Sequence, residues 1–118
     1  TQALQAARDF AAVLAKTPEF EAFDEAQWRL HNDGAAQTAI RAFQERQQSL
    51  RMMAMLGMLS DADRRDLQRL HAEMLAQPAV QVYAEAQERL SQMCQEVDRI
   101  ISQDIGIDFA ANCGTGCC

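Results

Sequence analysis

Apolar residues recur along this chain at spacings of three and four, the repeat of one face of a helix, and the repeat breaks at a few defined places. Leu4, Ala7, Ala11 and Leu14 form the first stripe, with Phe10 and Val13 beside it, which predicts a helix over 2–16. Thr17-Pro18 ends that stripe. Proline is excluded from a helix interior but suits its first turn, and threonine is a good N-cap. A second helix is predicted over 18–31, with Phe20, Phe23, Ala26, Gln27 and Leu30 on one side. Asn32-Asp33-Gly34 then reads as a turn whose aspartate caps the next helix.

The third predicted helix is long, 35–59. Ala36, Ile40, Phe43, Gln47, Leu50, Met53 and Gly57 alternate steps of four and three, a heptad-like seam suited to an antiparallel bundle or a partner helix. Ser60-Asp61-Ala62-Asp63 is a capping sequence with acid in the first turn. It opens a fourth helix over 61–76, with Leu67, Leu70, Met74 and Leu75 inward. Gln77-Pro78 opens a fifth over 78–104, whose seam is Tyr83, Gln87, Leu90, Cys94, Val97 and Ile101.

An internal repeat runs through this pattern. The stretch Pro18 to Leu30 aligns without gaps on Pro78 to Leu90. Proline, Glu25/Glu85, Ala26/Ala86, Gln27/Gln87, Arg29/Arg89 and Leu30/Leu90 are identical, and Phe10/Leu70, Ala12/Ala72 and Leu14/Met74 keep the register upstream. A helix–Pro–helix unit thus occurs twice, by duplication or by a convergent need for the same hairpin. The expected fold is all-α, a helical-hairpin bundle of about five helices.

Composition changes this picture in three ways. The 118 residues fit one domain with a single core. A net charge of −6 makes the chain a poor ligand for phosphate backbones, so no direct nucleic-acid partner is expected. No apolar run approaches the ~20 residues of a membrane span, and Arg8, Asp9 and Lys16 interrupt any leader-like core at the start. A cytoplasmic location with no membrane contact is therefore expected. In that reducing setting thiols more often bind metal or undergo redox chemistry than form structural disulfides.

The thiols are concentrated at the end. Cys113, Cys117 and Cys118 lie in the terminal hexapeptide, with Gly114 and Gly116 between them. Such glycines let a backbone curl so that the sulfurs converge. Soft thiolates suit an iron–sulfur cluster, zinc or Cu(I). The reading divides the chain into a helical domain, 1–105, and a flexible Cys/Gly-rich metal-binding tail, 106–118. A four-thiolate site needs one more ligand, from a second chain, from Asp108 or from a small molecule. Cys94 lies on the predicted seam and reads as a small buried hydrophobe. A cluster shared between chains, with Cys113 and Cys117 from each, is the simplest arrangement.

Other candidate chemistry resolves to packing or surface. Met52, Met53, Met55 and Met58 around Leu56-Gly57 read as adaptable packing or a partner surface rather than a copper site. His31 and His71 do not correspond in the repeat and read as solvated helix residues. Glu25/Arg29 and Glu85/Arg89 are helix-stabilising pairs four residues apart. Trp28 stands where the repeat has Glu88, so it is expected to be exposed. No phosphate loop, HExxH or nucleophile elbow is found, and no enzyme is expected. The third and fifth helices carry more apolar seam than two short hairpins cover, which predicts at least a dimer with residues 52–59 near the contact.

Several stretches together resemble the YlbF/YmcA family of small helical bacterial proteins. They are Ala7-Arg8, Thr17-Pro18-Glu19-Phe20, Glu25-Ala26-Gln27 with Leu30, Asn32-Asp33, Ile40 with Phe43 and Gln47-Gln48, Pro78-Ala79-Val80, and Leu90 through Ile100-Ile101. The resemblance implies an all-helical fold and a regulatory role. It also implies homo-oligomers, or hetero-oligomers with related helical proteins. In the best-known branch a complex of family members with an unrelated partner carries [4Fe–4S] clusters on cysteine thiolates. That complex adjusts RNA processing by the endoribonuclease RNase Y. Carried onto this chain, the ligand role falls on Cys113, Cys117 and Cys118.

Overall fold

Each break in the apolar pattern becomes a helix boundary. The computed structural model describes residues 1–112, which form six helices and no strand. Helix α1 (Gln2–Leu14) starts behind Thr1, whose hydroxyl accepts the Leu4 N–H at 3.3 Å. Helix α2 (Pro18–His31) opens on the first repeat proline. The Thr17 hydroxyl donates to the Leu14 carbonyl at 2.7 Å and accepts the Phe20 N–H at 3.2 Å, so one side chain closes α1 and opens α2. Helix α3 (Gly34–Met55) is capped by Asp33, which accepts the Ala36 N–H at 2.9 Å.

Helix α4 (Asp61–Leu75) carries a full capping box. Ser60 Oγ accepts the Asp63 N–H at 3.1 Å, and Asp63 Oδ2 accepts the Ser60 N–H at 3.3 Å. Helix α5 (Pro78–Ile105) opens on the second repeat proline. A short α6 (Phe109–Asn112) comes after Gly106, which turns the chain in the left-handed region at φ 76°.

Two predicted ends are corrected. The first helix stops at Leu14 rather than 16. There Lys16 and Thr17 donate to the carbonyls of Val13 and Leu14, each 3.1 Å away, and the last turn tightens ahead of Pro18. The third helix stops at Met55 rather than 59. Gly57 adopts φ 68°, its N–H bonds to Ala54 O at 3.1 Å, and Met58 N–H bonds to Met53 O at 2.9 Å. That pair of bonds is a Schellman ending, which a glycine just past the helix makes inexpensive. Gly57 is a stop signal, not a seam position.

The chain forms two compact units, Ala26–Ala84 and Thr1–Glu25 with the described residues from Glu85 onward. The first is organised by the α3–α4 hairpin. Its connecting turn is fixed by the Schellman ending of α3 and the capping box of α4, and Leu50 is 3 % exposed. Arg46 reaches across from α3 to Asp63 at 3.1 Å and Asp66 at 2.9 Å on α4. The rings of Phe43 and His71 meet at a tilt of 47°, with centroids 5.1 Å apart. His71, read from the sequence as a solvated helix residue, is exposed and also has this aromatic neighbour.

Four of the five buried residues among those described are alanines: Ala26, Ala36, Ala79 and Ala86, with Leu50 the fifth. Ala26 and Ala86 are equivalent in the repeat, so its two copies bury the same position. The predicted seams hold less well. Gln47, Met53 and Gly57 of the third helix and Gln87 of the fifth are exposed. No residue of the first stripe is buried, and Leu4 at its start is 57 % exposed.

Candidate functional site

Three features bear on function: the thiols, the methionine-rich turn after α3, and a groove beside α1. Cys113, Cys117 and Cys118 lie outside the described residues. The segment leading to them is fastened by hydrogen bonds. Ser102 Oγ accepts the Phe109 N–H at 3.1 Å, and Asp98 Oδ1 accepts the Ala110 N–H at 3.2 Å. Asp108 Oδ1 accepts the Ala111 N–H at 3.2 Å. The first amides of α6 are therefore met by two side chains of α5 and one of the connecting turn, which fastens α6 to α5. These contacts place residues 109–112 of the segment assigned to the tail in ordered structure. Asp108, a candidate fourth ligand, already uses one carboxylate oxygen as a helix cap.

Cys94 is a free, half-buried thiol. Among the described residues, no three His, Cys, Asp or Glu side chains are grouped as metal ligands. Cys94 instead lines an apolar groove of about 540 Å³. Ala3, Ala6, Ala7, Phe10 and Leu14 of α1 form one wall; Cys94, Val97, Asp98 and Ile101 of α5 form the other, with Phe109 of α6 also lining it. The steps of three and four on both walls match the spacing into which a further helix packs. Ala7 and Leu14 of the predicted stripe, and Phe10 beside it, line this groove, while Ala3 and Ala6 join them in place of Leu4 and Ala11. Sequence reasoning does not single out Ala3 and Ala6 because alanine gives little hydrophobic signal.

The methionine-rich turn lies in the other unit. Met52, Met55, Leu56 and Met58 are all strongly exposed, Met55 at 81 %. The predicted contact surface is therefore presented to solvent. Trp28 is likewise exposed, at 68 %, as the repeat comparison predicts.

Electrostatics support the scaffold rather than a reacting group. The Ser60 side chain first, then its backbone N–H, holds the Asp63 carboxyl below its usual range. Arg69 and then Arg46 do the same for Asp66 through hydrogen bonds. On α5, Arg99 lowers Glu96, and the pairing raises Arg99 further. Each is a surface ion pair or a cap.

Helices joined by short capped turns, with alanine-lined contacts and no strand among the described residues, define a small all-α protein of helical hairpins. A family model described as control of competence regulator ComK, YlbF/YmcA, matches residues 3–106, and the chain belongs to this YlbF/YmcA family. No match to a curated protein or to a solved structure was found. No helix among the described residues is long and apolar enough to cross a membrane.

Proposed function

We propose that this chain is a non-enzymatic regulatory adaptor of the cytoplasm that oligomerises and holds an iron–sulfur cluster, [4Fe–4S], through Cys113, Cys117 and Cys118. Membership of a family described by control of a regulator carries the adaptor reading. Three soft thiolates in six residues carry the cluster. The donor chemistry fits: three sulfurs supply all but one ligand of a four-thiolate cluster, and a second chain supplies the rest. The methionine-rich turn suits assembly with related helical proteins, since flexible polarizable side chains adapt to several partners. Modulation of RNase Y-dependent RNA processing is the pathway the family suggests.

The test is purification without oxygen, with iron and sulfide assay and visible absorption. Broad visible absorption with bound iron is expected. Cys113→Ser or Cys117→Ser abolishes it without loss of helicity, and Cys94→Ala retains it. Stoichiometric zinc or Cu(I) without that absorption would replace the cluster by a thiolate metal site. A metal-free protein would leave an adaptor alone.

A further inference from the structure

We infer that the turn closing α3 is an oxidation site: a hydroperoxide converts the thioethers of Met58 and Met53 to sulfoxides, and the helix end that they hold together comes loose. The inference rests neither on metal binding nor on assembly.

Access comes first. Four of the six methionines fall within residues 52–58. Met52, Met55 and Met58 are 71 %, 81 % and 65 % exposed, and Met53 is 36 % exposed. Met74 and Met93 are half-buried. An oxidant dissolved in water therefore meets the thioethers of the turn before the other two.

Position within the turn decides what oxidation does. Leu56 caps α3, so Gly57 and Met58 are the first and second residues past the cap. The Met58 N–H meets Met53 O at 2.9 Å, the Gly57 N–H meets Ala54 O at 3.1 Å, and Gly57 stands at φ 68°. In a Schellman ending the second side chain past the cap packs on that of the residue whose carbonyl it meets, or on the one before it. Here those residues are Met58, Met53 and Met52, so the apolar clasp has thioethers on both sides. The lower exposure of Met53 fits its place as the covered member. Met55, one residue before the cap, stands outside the clasp.

The step is a balanced two-electron oxidation. The sulfur lone pair attacks one oxygen of the hydroperoxide. An S–O bond forms as the O–O bond breaks, and the other oxygen leaves with the proton as water or an alcohol. Sulfur is oxidised and the peroxide reduced. A thiol-dependent sulfoxide reductase reverses the change, giving up the oxygen as water while two thiols become a disulfide. The sulfoxide is polar, with a strong acceptor and no donor. The end of α3 presents carbonyls and the negative end of the helix dipole, so the new oxygen is repelled there and turns to water. Leu50 and the pairs of Arg46 with Asp63 and Asp66 lie earlier along α3, so the hairpin holds while its end frays.

The experiment treats the full chain with dilute hydrogen peroxide and then with dithiothreitol, which returns disulfides to thiols and leaves sulfoxides. Peptide mass spectrometry locates the added oxygens. Met58, Met55 and Met52 are expected to take oxygen before Met74 and Met93. Tm should then fall by about 3–5 °C, and the amides of Gly57 and Met58 should exchange at least about tenfold faster. A methionine sulfoxide reductase should restore both. The double variant Met53→Leu, Met58→Leu keeps the clasp apolar without a thioether, and the same treatment should leave its Tm and exchange unchanged. Met55→Leu should respond as the native chain does. A Met58 that stays reduced while Met74 or Met93 is oxidised overturns the inference. So does an oxidised Met58 with Tm and exchange unmoved, which would make these exposed thioethers inconsequential. So does an equal fall in the double variant, which would place the effect at another residue.

Discussion

The α3–α4 hairpin and the α1–α5–α6 unit are built from similar residues and differ in how completely each closes on itself. In the hairpin, a Schellman turn, a capping box, a buried Leu50 and an arginine shared by two aspartates all act within one unit. In the other, α1 buries none of its residues and leaves an open apolar groove against α5. Both obey the same rules of capping and spacing. The difference shows that local signals suffice to form helices, while the pairing of helices depends on how much apolar surface faces each neighbour. The hairpin has the character of a finished scaffold, and the unit around α1 leaves apolar surface open.

Substitutions test that contrast, beginning where the hairpin is densest. Leu50→Ala removes a nearly fully buried side chain, and a loss of about 2–5 kcal/mol in denaturant unfolding is expected. Gly57→Ala forces a Cβ into the left-handed region at φ 68° and should destabilise by about 1–2 kcal/mol, with nothing nearby for the methyl group to strike. Ser60→Ala removes the N-cap of α4 and should cost about 1 kcal/mol in the same assay. Across the divide, Cys94→Ala trims a half-buried side chain beside an open groove, leaves no sealed cavity, and should cost less than about 1 kcal/mol in the monomer. A cost for Cys94→Ala equal to that for Leu50→Ala would erase the contrast.

The smallest effect is expected from pH. Asp63 and Asp66 have folded-state pKa values below their unfolded ones, so their contribution is fully present above the ordinary carboxylate range. It fades as pH falls below about 4 and through the lowered folded values. Both carboxylates are half-buried but still reached by water, which screens their ion pairs, so the effect is slight. A thermal melt series from pH 6 to pH 3 should show a smaller fall in Tm for Arg46→Met than for the native chain.

The helices are legible in the sequence because their boundaries depend on local chemistry. Thr17-Pro18, Asp33, Ser60 and Pro78 each act within four residues, and each marks a helix start in the structure. Gly57 is equally local, but it also fits a heptad count, which hides the stop at Met55. Packing is less legible. Three of the five residues on the α1 wall of the groove are alanines, and of these only Ala7 belongs to the predicted stripe. Helix α6 depends on Asp98 and Ser102, which lie 12 and 7 residues before the amides they meet. The spacing of Cys113, Cys117 and Cys118 is a statement about donor chemistry and contains no record of the fourth ligand.

Phe109 stands at a junction of two of these features. Its ring lines the groove, its N–H is held by Ser102, and Cys113 comes four residues later. Releasing the Ser102 and Asp98 hydrogen bonds would therefore free a wall of the groove and the approach to the thiols in one step.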